Sequence, residues 1–240
     1  MTKISLLKAL IAAGFGSRRK MASAIKEGRV KVNGDTASAF SHTIDINQDR
    51  VQFDGVEVGL QAKPKVYLAL NKPAGVLSTT SDDRGRKTVL DFIPPYLRSI
   101  KMFPVGRLDK DSTGLVLLTN DGDAAFRLSH PRFEHEKEYL VDLDRILDDP
   151  YLAQLRKGVE LNDGCTRPAK VVAMQDSNNF TYSVIIHEGK NHIVRRMFAR
   201  LGYIVVKLKR IRIACVNLGD LSLGQTRLLE QEEVRRLQEL

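Results

Sequence analysis

Leu6, Leu7, Leu10 and Ile11 fall on one stripe of residues 4–13, at the helical period, and Gly14 ends that stripe. Ser17 has N-cap chemistry for a second helix reaching about Glu27, with Met21 and Ile25 one turn apart and Gly28 as the stop. The period then drops to two. Val30 and Val32 alternate with basic residues, Asn33-Gly34 has hairpin-turn chemistry, and Val51/Phe53 and Val56/Val58 flank a second turn at Asp54-Gly55. A polar connector, residues 61–65 with Pro64, separates this module (1–62) from a larger domain (66–240) that opens on the apolar run 66–70. Strands are expected at 102–105, 115–119, 139–141, 170–174, 180–186 and 204–213, and helices at 123–129, 150–158, 193–201 and 231–238. The helices are too few and too irregularly spaced for repeated βαβ winding. The predicted class is α+β: a small N-terminal α+β module, then a larger mixed, mainly antiparallel sheet with flanking helices.

Composition narrows the function classes. Of 240 residues, 42% are hydrophobic and 28% charged, enough to build a core and too apolar for a disordered tail. The best apolar run, residues 114–119, ends in Asn120-Asp121, far short of the roughly 18 residues of a membrane span. The N-terminus lacks the apolar core and small-residue cleavage site of an export signal, so a cytoplasmic protein is expected. Lys and Arg number 38 against 29 Asp and Glu, a net charge of +9 that invites a polyanionic partner. Residues 1–31 hold eight of those basic residues and a single acid, Glu27. Cys165 and Cys215 lie far apart and read as reduced and structural, and the five histidines form no ligand motif, so no metal is expected.

Three stretches carry candidate chemistry. Gly14-Phe15-Gly16 precedes Ser17-Arg18-Arg19-Lys20 but lacks the spacing of a phosphate-binding Walker loop. What remains is a basic helix N-terminus, suited to a nucleic-acid backbone. The second stretch, Gly106-Arg107-Leu108-Asp109-Lys110-Asp111-Ser112-Thr113-Gly114, concentrates glycines, carboxylates and hydroxyls between two apolar strands. It overlaps a calcium-loop pattern, but the twelfth position is Asn120 where a bidentate glutamate belongs. The third, residues 188–198, turns a strand into a basic amphipathic helix. There Ile193, Met197 and Leu201 face inward, Arg196 and Arg200 sit one turn apart, and Arg195 points elsewhere, within reach of a pocket. Residues 205–212 carry Lys207, Lys209, Arg210 and Arg212 on a strand that extends the same basic surface.

Taken in order, Gly16-Ser17-Arg18-Arg19 and Val30-Lys31-Val32-Asn33-Gly34, Leu70-Asn71-Lys72-Pro73-Ala74-Gly75-Val76, Gly106-Arg107-Leu108-Asp109, Lys137-Glu138-Tyr139, and Glu188-Gly189-Lys190-Asn191 leading to Val194-Arg195-Arg196-Met197 resemble the bacterial ribosomal RNA pseudouridine synthases of the small-subunit-A and large-subunit-B type. The resemblance spans nearly the whole chain and implies an N-terminal S4-type RNA-binding domain and a pseudouridine synthase domain. It maps the catalytic aspartate onto Asp109, the active-site aromatic onto Tyr139 and the active-site arginine onto Arg195. Ile193 departs from the polar glutamine frequent in relatives. The implied reaction breaks the C1′–N1 bond of one uridine and rejoins the sugar to C5 without cofactor or metal. Asp109 either attacks C1′ or takes a sugar proton, and both routes require it ionised. Arg195 in contact with Asp109 would keep it so.

The expected partner is ribosomal RNA or a pre-ribosomal particle, with the large-subunit RNA slightly favoured, bound by a monomer. Candidate RNA contacts are Ser17, Arg18, Arg19, Lys20, Lys31 and Asn33 in the module, and Arg107, Lys137, Lys190, Arg196, Lys209 and Arg210 in the larger domain. Two other classes compete: an assembly factor that binds without turnover, and, less well supported, a DNA-binding regulator using the helices of residues 4–27.

Overall fold

The computed structural model describes residues 3–61, 63–174 and 182–240, and its residues group into two units, Met1–Lys65 and Val66–Leu240. The first unit corrects the first expected helix. Residues 4 and 5 belong to a strand, β1 (Lys3–Ser5), and helix α1 (Leu6–Ala12) begins only after Ser5, whose hydroxyl caps it by accepting from the Lys8 N–H at 3.3 Å. Ile4 satisfies either period; pairing with β4 (Thr43–Asp45), nearly forty residues away, decides for the strand. Ser17 caps α2 (Arg18–Lys26) in the same way, through the Lys20 N–H at 3.2 Å. The helices lay Leu6, Leu10, Met21 and Ile25, all fully buried, against Val30 and Val51 of a four-stranded antiparallel sheet. That sheet runs β3 (Asp35–Thr36), β2 (Val30–Val32), β5 (Val51–Phe53), β6 (Val56–Val58). Both its tight turns have positive φ at two successive residues, Asn33-Gly34 and Asp54-Gly55, the geometry that matches hairpin twist.

In the second unit β7 (Tyr67–Lys72) and β9 (Thr113–Thr119) are almost wholly buried. Their continuous apolar runs follow from having a core on each face. Leu68, Leu70, Val116 and Leu118 face one core, with α4 (Asp149–Lys157) and α5 (Ile193–Arg200) above it. Ala69, Leu115 and Leu117 face the other, with Ala124 and Leu128 of α3 (Gly122–Ser129) and Leu237 of α6 (Gln231–Glu239). The remaining strands are β8 (Phe103–Pro104), β10 (Lys137–Leu143), β11 (Glu160–Leu161), β12 (Gly164–Cys165), β13 (Lys170–Ala173), β14 (Tyr182–Ile186), β15 (Val205–Ile213), β16 (Val216–Asn217) and β17 (Thr226–Leu228). Residues 180 and 181, expected to open β14, lie outside the described residues. The main sheet runs β13-β14-β10-β15-β9-β7-β17, with β16 beside β15 and β8 beside β9. Its pairings are antiparallel except β9 with β15 at the centre.

That parallel pair depends on one glycine. Gly114 has φ +104°, and a Cβ there would lie 2.2 Å from the carbonyl oxygen of Arg210. Only a residue without a side chain lets the two backbones come this close. The approach brings the loop before β9 up to the middle of β15.

Candidate active site

The loop between β8 and β9 is tied down at successive peptide groups. The Arg107 carbonyl accepts from Arg210 Nη1 at 3.3 Å. Leu108 exchanges two bonds with the Ser78 hydroxyl, its N–H donating at 3.2 Å and its carbonyl accepting at 2.9 Å. The Lys110 carbonyl accepts from the Gly75 N–H at 2.8 Å and from Lys72 Nζ at 3.1 Å. Asp109, between these anchors, closes a turn with its carbonyl on the Ser112 N–H at 3.1 Å. Its carboxylate keeps 28% of its surface exposed. A reactive group held by a fixed backbone but left open to solvent is what a preorganised site requires.

The carboxylate lines a cavity of about 200 Å3. This is smaller than drug-sized pockets, which run from about 300 Å3, and suits a group on the scale of one ring. Leu128, Ile193, Val194, Leu208 and Ile213 supply apolar wall, and Tyr139 stands among them, 7% exposed. Its charged lining is mostly basic, Arg107, Lys137, Lys190 and Arg210 against the single carboxylate of Asp109, and Ser129, Asn191 and His192 complete the polar wall. His192 Nε2 lies 3.4 Å from Asp109 Oδ1, presented by a left-handed backbone (φ +50°) at the start of α5. Lys190 leans on Glu188 at 3.6 Å.

Two lysines are perturbed by burial. Lys72 has no exposed surface, and its ammonium donates to the carbonyls of Pro73, Val76 and Lys110 at 2.9, 3.0 and 3.1 Å. Desolvation lowers its pKa to about 8, although the charges of Asp109 and Asp111 pull it back up. Lys137 opens β10 and donates to the His135 carbonyl at 3.2 Å. Burial first, and the charge of Arg210 second, lower it to about 8 as well.

The structure brings Asp109 and Tyr139 together on one cavity, with Arg107, Lys137, Lys190 and Arg210. It does not bring Arg195 there. One step beyond Val194 turns the helix by about 100°, and Arg195 Nη1 donates instead to the Val205 carbonyl at 2.7 Å. The expected contact with Asp109 is therefore made by His192. Arg210 is corrected in the opposite sense: counted on an outer basic surface, it is 2% exposed and reaches inward under Tyr139, its guanidinium carbon 6.0 Å from the ring centre. Leu208 and Arg210 are two residues apart on β15 and share a face, whereas Lys209 between them is only partly buried.

Arg196 is also reassigned. It forms an ion pair with Asp163, and Arg200 Nε donates to the Glu160 carbonyl at 3.2 Å, so both outer arginines of α5 clamp the β11–β12 hairpin. In the first unit Arg18, Arg19, Lys20 and Lys31 are exposed. Ser17 and Asn33 are exposed too, but their side chains are occupied: Ser17 caps α2, and Asn33 accepts from the Arg50 N–H at 2.9 Å and donates to Asp49 at 2.8 Å. Sequence reasoning missed roles for Lys72, Ser78 and His192. Only Lys72 left a signal, as a lysine ending a mostly apolar strand.

A small cavity with one anchored carboxylate, a tyrosine and an excess of cations defines a site for chemistry on a ring carried by an anionic polymer. Residues 66–200 match the family model for RNA pseudouridylate synthase, and the chain belongs to that family, enzymes that isomerise uridine in RNA. It is 41% identical over 238 residues to ribosomal large subunit pseudouridine synthase B of Bacillus subtilis (strain 168), covering 98% of this chain and 96% of the relative. The protein of the same name from Vibrio vulnificus (strain CMCP6) is 40% identical over 240 residues, covering 98% and 74%. A crystal structure of a pseudouridylate synthase superimposes with a TM-score of 0.69 at 34% identity, covering 98% of this chain and 99% of that one.

Proposed function

We propose that this chain isomerises a specific uridine of ribosomal RNA to pseudouridine, with the Asp109 carboxylate as the reacting group. The observation that carries the reading is the loop of residues 106–112, bonded to Ser78, Gly75, Lys72 and Arg210 on either side of Asp109, which fixes the backbone that presents the carboxylate to the cavity. A uridine inside a stacked helix cannot reach that carboxylate. It is flipped out, at a cost of a few kcal/mol that backbone contacts offset. Tyr139 then gives the base an aromatic neighbour, and stacking of this kind contributes about 1–3 kcal/mol. In one route the carboxylate attacks C1′ as the C1′–N1 bond breaks, the base turns, and C5 displaces the carboxylate from C1′; in the other the carboxylate takes a sugar proton as that bond breaks and returns it when C5 bonds to C1′. Loss of the C5 proton and protonation of N1 complete the isomerisation.

The names of the Bacillus and Vibrio relatives support the large-subunit RNA as substrate. The helix pair and hairpin sheet of the first unit, with Arg18, Arg19, Lys20 and Lys31 exposed, support an S4-type docking role.

The test is tritium release from unmodified large- and small-subunit rRNA labelled at uridine C5. The wild-type protein should release tritium from one of them. Asp109→Asn should lose on the order of 10⁴-fold or more in rate while RNA affinity stays within a few-fold. Tight binding with no release by wild type on either RNA would replace this reading with that of an assembly factor.

A further inference from the structure

Arg210 is the one arginine of the cavity wall whose guanidinium is sealed from solvent, at 2% exposure. Nε donates to the Leu115 carbonyl at 2.8 Å and Nη1 to the Arg107 carbonyl at 3.3 Å. Nη2 is buried and has no partner, and among the described residues no carboxylate forms an ion pair with Arg210. A buried guanidinium with neither counter-ion nor full hydrogen bonding is costly, and such exceptions in a folded protein call for an explanation. The fold nonetheless builds around it: Gly114 exists in that conformation so that β9 can press against the Arg210 backbone. Lys137 lines the same cavity and, among the described residues, its ammonium reaches only a carbonyl, that of His135. The Asp109 charge already has His192 beside it. Apart from the exposed Arg107, the pocket wall thus holds an unused donor and two buried or half-buried cations without a carboxylate partner among the described residues, which is a place for an anion with carbonyl oxygens.

The reaction proposed above generates such an anion. When the C1′–N1 bond breaks, its electron pair leaves with the base, and the detached uracil carries that charge spread over N1, O2 and O4. The pair is used again when C5 bonds to C1′, after which C5 loses its proton and N1 gains one. We propose that Arg210, together with Lys137, binds the detached uracil as its anion, so that these two side chains stabilise the leaving base rather than any RNA phosphate. The proposal rests on the reading of this cavity as the synthase site, and it separates the labour there. Asp109 acts on the sugar, and Arg210 and Lys137 act on the base.

Its signature is dependence on the leaving group. Fluorine at C5 withdraws electrons and makes N1 a stronger acid, so 5-fluorouracil departs with less help. The experiment compares single-turnover formation of C-glycoside, read by nuclease digestion and mass spectrometry, on large-subunit rRNA transcribed with uridine or with 5-fluorouridine. Arg210→Gln should lower the rate about 100-fold on uridine RNA, the usual effect of losing one donor to a developing anion, and by no more than about 10-fold on the fluorinated RNA. RNA affinity should stay within about 3-fold, and Arg210→Lys should recover part of the rate. Lys137→Gln should show the same inequality, and it carries the test if Arg210→Gln fails to fold in a thermal melt. Equal losses on the two RNAs, or a loss confined to affinity, would overturn the proposal while leaving the wild-type reaction in place. A wild-type protein inactive on both RNAs would remove the reading on which it rests.

Discussion

Lys72 satisfies all three of its ammonium protons on backbone carbonyls and none on a carboxylate, so its charge is held by dipoles alone. Burial lowers its pKa to about 8 in the folded protein, against 10.5 unfolded. Below pH 8 both states are protonated and the full cost of burying the charge is present. Between pH 8 and 10.5 the unfolded chain binds more protons than the folded one, so this group makes stability rise with pH. Urea melts of wild type and Lys72→Met should show wild type gaining on the variant from pH 8 to pH 10; a constant difference would mean that Lys72 titrates normally. Lys137, also near 8, gives a different readout. Facing Asp109, Arg107, Lys190, His192 and Arg210 across the cavity, it loses its charge as pH passes 8, and the isomerisation rate should fall there. Arg210→Gln removes the cation that helps hold Lys137 down, so the alkaline limb should move upward in that variant. At this scale the sequence was half legible. Asp109 and Tyr139 were read from their motifs, and the cavity holds both. Arg195 and Arg210 exchanged places because a linear motif does not say which way a side chain leaves its backbone. The irregular pairing between Glu138 and Tyr139 alters the β10–β15 register right where that matters.

The elements that position the site were legible where they were long and apolar. The apolar run of residues 115–119 read as a strand and lies in β9, and the helical stripe of residues 193–201 became α5. What sequence could not convey was pairing. The parallel contact of β9 with β15 joins residues nearly a hundred positions apart, and the two-residue strands β11 and β12 exist because α5 clamps them. Gly114 read as one loop glycine among several; its necessity appears only once Arg210 lies against it. Gly114→Ala should therefore cost about 2–5 kcal/mol, from a strained positive φ and from a methyl driven into backbone. Urea denaturation checks the stability, and the tritium assay should show activity falling at temperatures where the variant is still folded, because the displaced strand carries Arg210. Wild-type stability in Gly114→Ala would contradict the close approach.

Across the whole molecule the positive charge of 38 lysines and arginines overstates how much is available to RNA. Much of it is spent internally. Arg196 pairs with Asp163, Arg212 with Glu136 and Glu138, Arg227 with Glu233, and Arg235 and Arg236 with Glu232. Arg18, Arg19 and Lys20 are different: they are exposed, follow one another at the start of α2, and among the described residues form no ion pair. Free cations release counter-ions from RNA when they bind it, whereas a paired arginine must first break its own bridge. Each phosphate contact on a single strand contributes about 0.7 to the slope of log affinity against log salt, and somewhat more on a duplex. Replacing Arg18, Arg19 and Lys20 with glutamine should reduce the slope for rRNA binding by about 2–3. Arg196→Gln should leave the slope unchanged and instead loosen the β11–β12 hairpin, seen as faster amide exchange at Glu160 and Cys165. The two variants remove the same kind of charge, so total charge as the determinant would require both slopes to fall in proportion. A drop confined to the triple variant would assign electrostatic docking to the first unit.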